Sequence, residues 1–173
     1  KRQLSRALSG LADLHLAEAK LDEARALYDE ALALDRERGD LAIVGIDLSN
    51  LAMTSISLGL GDRARGLVRE GLAIAEEIES KRVGVAQLVC SAGLAASLSE
   101  WKCAGCLYGA TEALWAQMGF HRERADEAFL APLIARARGA LGDAAFTAAE
   151  SAGRSLSYEE AIAQARAWLD DGS

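Results

Sequence analysis

The stretch LSGLADLHLAEAKLDEARALYDEA, residues 8–31, decides the fold. Apolar side chains return at Leu4, Leu8, Leu11 and Ala12, the spacing of one helix face, and again at Ala24, Leu27, Tyr28, Ala31 and Leu34. Ala19-Lys20-Leu21-Asp22 separates the two runs, so the segment predicts a helix, a tight turn and a second helix. Asp22 is expected to cap the second helix, with Glu23 in its first turn, where a negative charge meets the positive end of the helix dipole.

Outward from this segment the same pattern recurs at a spacing of 40 residues. Leu8, Leu48 and Leu88 correspond, as do Ala12, Ala52 and Ala92, then Ala24, Ala64 and Ala104, then Tyr28, Val68 and Tyr108. Ala31, Gly71 and Thr111 complete the set. The second unit is expected to turn at Gly59-Leu60-Gly61-Asp62, with Asp62 capping as Asp22 does, and the third near Ser99-Glu100-Trp101. Gly39 and Gly119 mark joints between units, and Glu79 stands where the middle joint would carry glycine. Small residues at 12 and 24 let two helices approach closely while Leu8, Leu11, Leu27 and Tyr28 fill the wider gaps.

In the 173 residues, 51% apolar and 26% charged with one proline, disorder is excluded, as is a large multidomain enzyme. The 26 acidic and 19 basic side chains leave a net charge of -7, which opposes long-range attraction to nucleic acid or to an anionic membrane. No long uncharged apolar run and no amino-terminal signal pattern is present, and Cys90, Cys103 and Cys106 are too few for a secreted disulfide framework. The expectation is a soluble cytoplasmic protein. Because the chain opens at Lys1 without an initiator Met, it is expected to be a piece of a longer polypeptide, with further modules on the amino-terminal side.

The run Leu8, Leu11-Ala12-Asp13-Leu14-His15, Ala19, Ala24, Tyr28, Ala31 resembles a tetratricopeptide repeat, as does Leu48, Asn50-Leu51-Ala52, Gly59, Ala64, Val68, Gly71. The third unit keeps Leu88, Ala92, Ala104, Tyr108 and Thr111 but departs at Ser91 and Ser99. With its longer period the chain resembles the divergent tetratricopeptide-like carboxyl-terminal arrays of bacterial AfsR-like, LuxR-type and cyclase-linked ATPase regulators. Residues 138–146, RGALGDAAF, and 153–162, GRSLSYEEAI, are similar to the terminal segment of those regulators. The resemblance implies an all-α solenoid of three helix pairs over residues 1–119, closed within the same domain by capping helices over 120–173. It also implies a place beside an ATPase module and a DNA-binding or cyclase module.

The terminal segment reads as a cap from its own residues as well. Ser157 and Glu160 form a capping box, and the helix beyond presents Ala161, Ile162, Ala165 and Leu169 to a core. Pro132 requires either a helix that starts close to it or a longer one that bends there.

Local signals for chemistry are weak. Cys103-x-x-Cys106, with Cys90 and His121, has the residue types of a zinc or dithiol site, but the pair lies inside a predicted helix, where packing is the expected role. His15 corresponds to Ser55 and Ala95 and is read as packed or surface, not as a catalytic base. Gly59-Leu60-Gly61 lacks the preceding strand of a dinucleotide site, and Glu76, Glu77 and Glu79 read as a solvated face. No catalysis and no cofactor are expected. An enzyme would need a site assembled from residues distant in sequence.

Helical phase places Arg6, Ser9, Asp13 and Leu16 on the inner face of the first pair, Ile46, Ser49, Met53 and Ile56 on that of the second, and Ala86, Val89, Gly93 and Ala96 on that of the third. Such a face is expected to receive a protein or peptide partner, or an adjoining domain of the same polypeptide, with Arg6 and Asp13 orienting it and Met53 adapting to it. The alternatives are that terminal helices fill the face or that a small-molecule inducer occupies it. Trp101, Trp115, Trp168, Phe120, Phe129 and Phe146 gather in the second half, which admits a homodimer. The function expected is therefore a non-catalytic scaffold in a signal-responsive transcriptional regulator.

Overall fold

In the computed structural model, which describes residues 1–120 and 124–171, the chain is all-helical, with no strand among those residues. The apolar runs become α1 (Arg2–Ala17), α2 (Leu21–Arg38), α3 (Leu41–Ser57), α4 (Gly61–Glu77), α5 (Lys81–Ser97) and α6 (Trp101–Gln117). They are followed by α7 (Arg124–Leu141), α8 (Asp143–Arg154) and α9 (Tyr158–Asp171). No helix among the described residues is long and apolar enough to cross a membrane.

The turns explain the spacing. Left-handed backbone occurs at Ala19, Gly39, Gly59, Glu79, Ser99 and Gly119, one every 20 residues, with φ of 58, 71, 74, 51, 66 and 70°. After α1, the Lys20 amide reaches back to the His15 carbonyl at 2.8 Å, and Leu60, Ser80, Glu100 and Phe120 repeat that bond to Ser55, Ala75, Ala95 and Trp115. This closes the last helical turn and satisfies carbonyls the helix leaves open. Glu79 thus adopts the conformation of Gly39 and Gly119 without being glycine, which is why residue type alone hides the rhythm at 19, 79 and 99.

Two expected caps fall elsewhere. Asp22 and Asp62 lie inside the first turns of α2 and α4, whose cap positions are Lys20 and Leu60, and neither supplies a side-chain cap. Asp22 instead meets Arg25 at 3.2 Å. The capping side chains are Asp40, which accepts from the Ile43 amide at 3.5 Å, and Ser80, which accepts from the Val83 amide at 3.3 Å. The box at α9 forms as expected: the Glu160 amide donates to Ser157 Oγ at 3.1 Å and the Ser157 amide to Glu160 Oε2 at 2.8 Å. Pro132 lies within α7, which continues through it.

The described chain divides into two compact units, Lys1–Val83 and Gly84–Ser173, so the boundary falls just after the start of α5. In the first unit α1 packs on α2, α2 on α3 and α3 on α4. Ala12, Ala24, Tyr28, Leu32, Val44, Leu48, Leu51 and Ile74 form one buried cluster. The repeat alanines Ala12, Ala24, Ala52 and Ala64 are wholly inaccessible to solvent. Burying each leucine of such a cluster contributes about 1.5–3 kcal/mol.

In the second unit α6 is the central element, packing chiefly on α8 and also on α7 and α9. Ala92 and Ala104 are fully buried, but Tyr108 is only half-buried, its ring 6.4 Å from Phe146. Glycine provides the close approaches. A Cβ on Gly109 would lie 2.0 Å from the Glu150 carbonyl oxygen, and one on Gly153 would lie 1.8 Å from that of Cys106. On α5, Gly84 lies under Tyr158 and Gly93 under Phe129. The residues read as a cap therefore interlock with the third helix pair backbone to backbone.

Candidate functional site

The candidate inner face separates into accessible and buried positions. Arg6 and Asp13 on α1 are exposed, Ser9 and Leu16 are half-buried, and on α3 Ile46 is exposed and Met53 half-buried. Ser49, Ile56 and Val89, at 5, 6 and 1% exposure, are interior residues. These three were expected to meet a partner, but each is buried, whereas Ile46 and Met53 on the same face of α3 stay accessible. Ser49 Oγ donates to the Ile46 carbonyl within its own helix at 2.7 Å. In the second unit the cover is visible: α7 brings Phe129 against Gly93, and Arg136 donates to the Ala96 carbonyl at 2.9 Å. Asp13 accepts a hydrogen bond from the Tyr28 hydroxyl, so one of its oxygens holds α1 to α2.

A buried acidic pair lies under the same two helix pairs, and residue type did not disclose it. Asp35 of α2 is fully inaccessible and accepts from Ser5 Oγ of α1 and from Arg38 of its own helix. Asp47 of α3 is 4% exposed. Burial first, then the charge of Asp35 and a hydrogen bond between the two carboxyls, pushes Asp47 up to about 7. Near neutrality Asp47 is therefore only partly ionised, and it stands on α3 beside the Asp35 carboxylate of α2.

The three thiols differ in exposure: Cys103 and Cys106 are half-buried. Cys90 is buried, and burial, reinforced by Asp126, pushes its thiol far up. Burial, then Glu100 and Cys106, pushes Cys103 up to about 12. A thiol so placed is protonated at neutral pH, and the thiolate is the nucleophile. Among the described residues no group of three or more His, Cys, Asp or Glu side chains is arranged to hold a metal ion. His121, the fourth member of the set read from the sequence, lies outside the described residues. His15 is half-buried, with Nδ1 enclosed and without a hydrogen-bond partner, as a packed histidine would be.

An open cleft of about 490 Å³ lies where α6, α8 and α9 meet, lined by Trp101, Lys102, Cys103, Cys106, Ala152 and Gln164 among others. Gln164 Nε2 donates to Cys106 Sγ at 3.4 Å, and Trp168 Nε1 donates to Glu100 at 2.6 Å. Arg136 lies over the Trp101 ring at 5.3 Å, and Arg138 over Phe146 at 4.4 Å. Trp115 meets Phe120 edge to face at 6.1 Å. The aromatic residues thus serve several separate contacts, with Phe146 wholly buried and Phe120 at 51% exposure. Compared with protein-family models and with curated proteins, the chain matches none.

Proposed function

We propose that the chain is a non-catalytic interaction module of tetratricopeptide-like helical hairpins, serving a larger signal-responsive regulator of the AfsR or LuxR type. The observation that carries this reading is the recurrence of helix, left-handed turn and helix every 40 residues around buried alanines, with Arg6, Ser9, Leu16 and Met53 left partly accessible. An adjoining domain or a peptide laid across these residues would gain area burial from Leu16 and Met53 and orientation from Arg6. To transmit its occupancy, that partner must bind one arrangement of the assembly better than another.

The test is quantitative binding of partners recovered from soluble lysate to the wild-type chain and to Arg6→Glu with Met53→Asp. A partner whose affinity falls at least tenfold in the double variant, with helicity retained, supports the reading; unchanged affinity counts against it. A second reading, a small-molecule inducer site, draws on the cleft beside Trp101, whose lining is mainly apolar with Lys102 and Gln164 at hand. A metabolite that raises the melting temperature and quenches tryptophan emission, both lost in Gln164→Leu, would favour it.

A further inference from the structure

On α1, Leu4, Leu11 and Leu14 are 50, 44 and 63% exposed. Their spacing of seven and three residues places them along one side of the helix. A shift of 40 residues carries them to Val44, Leu51 and Thr54 of α3, which are 2, 0 and 1% exposed. The cover on α3 is identifiable: Val44 and Leu51 share a buried cluster with Tyr28 and Leu32 of α2, the second helix of the preceding pair. The established α2–α3 interface therefore shows what kind of surface fits the α1 face.

The charges in the same register agree at one position and reverse at the other. Two ion pairs join α2 to α4: Arg36 to Glu70 at 2.5 Å, and Arg63 to Asp29. The same shift of 40 carries Glu70 to Glu30 and Arg63 to Glu23, both exposed on α2. The helix that would stand ahead of α2 as α2 stands ahead of α4 is thus asked for a basic side chain opposite Glu30 and another opposite Glu23.

We infer that the Leu4, Leu11 and Leu14 face of α1, with Glu23 and Glu30 beside it, docks the second helix of another hairpin of this same repeat class carrying two basic side chains. This contact is separate from the inner face and does not depend on what that face binds.

The test joins a copy of residues 1–40 ahead of Lys1 in the 40-residue register, with Asp29→Lys in the added copy, and follows hydrogen exchange in the original α1. Docking is expected to raise protection of the original α1 amides about tenfold. Leu11→Gln with Leu14→Gln in the original segment should abolish that gain. Glu30→Lys in the original segment should lower it several-fold, and Arg36→Glu in the added copy should restore it. Added residues that stay unfolded, or fold without changing α1 protection, would overturn the inference. So would an unextended chain that forms a dimer dissolved by the same two leucine substitutions, because the occupant would then be a second copy.

Discussion

Two helix contacts in this molecule solve the same packing problem with different residues. Between α1 and α2 the small side chains are Ala12 and Ala24, surrounded by Tyr28, Leu32 and half-buried Leu27 and Leu16. Between α6 and α8 they are Gly105, Gly109 and Gly153, and the elements come so close that the missing Cβ atoms of the last two would overlap backbone carbonyls. An alanine seam can yield by shifting side chains. A glycine seam has only backbone to move. The α1–α2 contact is therefore a general hairpin contact repeated along the chain, whereas the α6–α8 contact is specific to one place.

The largest effect is expected at the glycine seam. Gly109→Ala sets a methyl group against the Glu150 carbonyl and should cost about 3 kcal/mol, the upper range for overpacking, read as a lower urea midpoint. At the alanine seam Ala24→Leu adds far more volume yet should cost only about 1–3 kcal/mol, because the neighbouring leucines can rearrange.

The acidic pair gives the first unit a pH dependence. Asp47 is raised from 3.8 to about 7, so the folded chain holds a proton that the unfolded chain releases. Its contribution is fully present below about pH 4, falls as pH rises toward 7 and is absent above. Asp47→Asn keeps a donor toward Asp35 and should flatten that decline, stabilising the chain at pH 8 by about 2 kcal/mol. Stability measured at several pH values checks it, and a wild-type profile that stays flat from 4 to 8 would contradict the raised Asp47 carboxyl.

A smaller effect concerns the turns. Glu79→Gly relieves a left-handed residue with φ 51° and should stabilise by about 1 kcal/mol, a small rise in melting temperature.

Much of the helical pattern is legible in residue order because it is local. Leu8, Ala12 and their counterparts obey helical spacing, and Ser157 with Glu160 needs only three residues to define a cap. Asp22 and Asp62 misled because a capping residue type just after a turn does not reveal that the helix starts one residue earlier. The spacing Gly105 to Gly109 and Ala149 to Gly153 is present in the sequence, but only the packing of α8 on α6 shows why those residues are small.

The candidate site divides on the same principle. Arg6 is accessible and Met53 partly so, but phase cannot show that Ser49, Ile56 and Val89 are covered, because cover depends on elements distant in sequence. Asp47 escaped notice for the complementary reason: a carboxylate in sequence suggests solvent, and only the packing of α3 on α2 buries it beside a second carboxylate, where both burial and the Asp35 charge favour its protonated form.

The most direct measurement is a pair of urea titrations on Gly153→Ala and Gly66→Ala, the same added methyl group at two helix-interior glycines. Gly66 has open space where its Cβ would stand, so alanine there should stabilise by about 0.5–1 kcal/mol. At Gly153 the Cys106 carbonyl occupies that place, and the same change should destabilise by about 2 kcal/mol or more. Opposite signs are the predicted result; a Gly153→Ala chain as stable as the wild type would contradict the backbone contact on which the α6–α8 account rests.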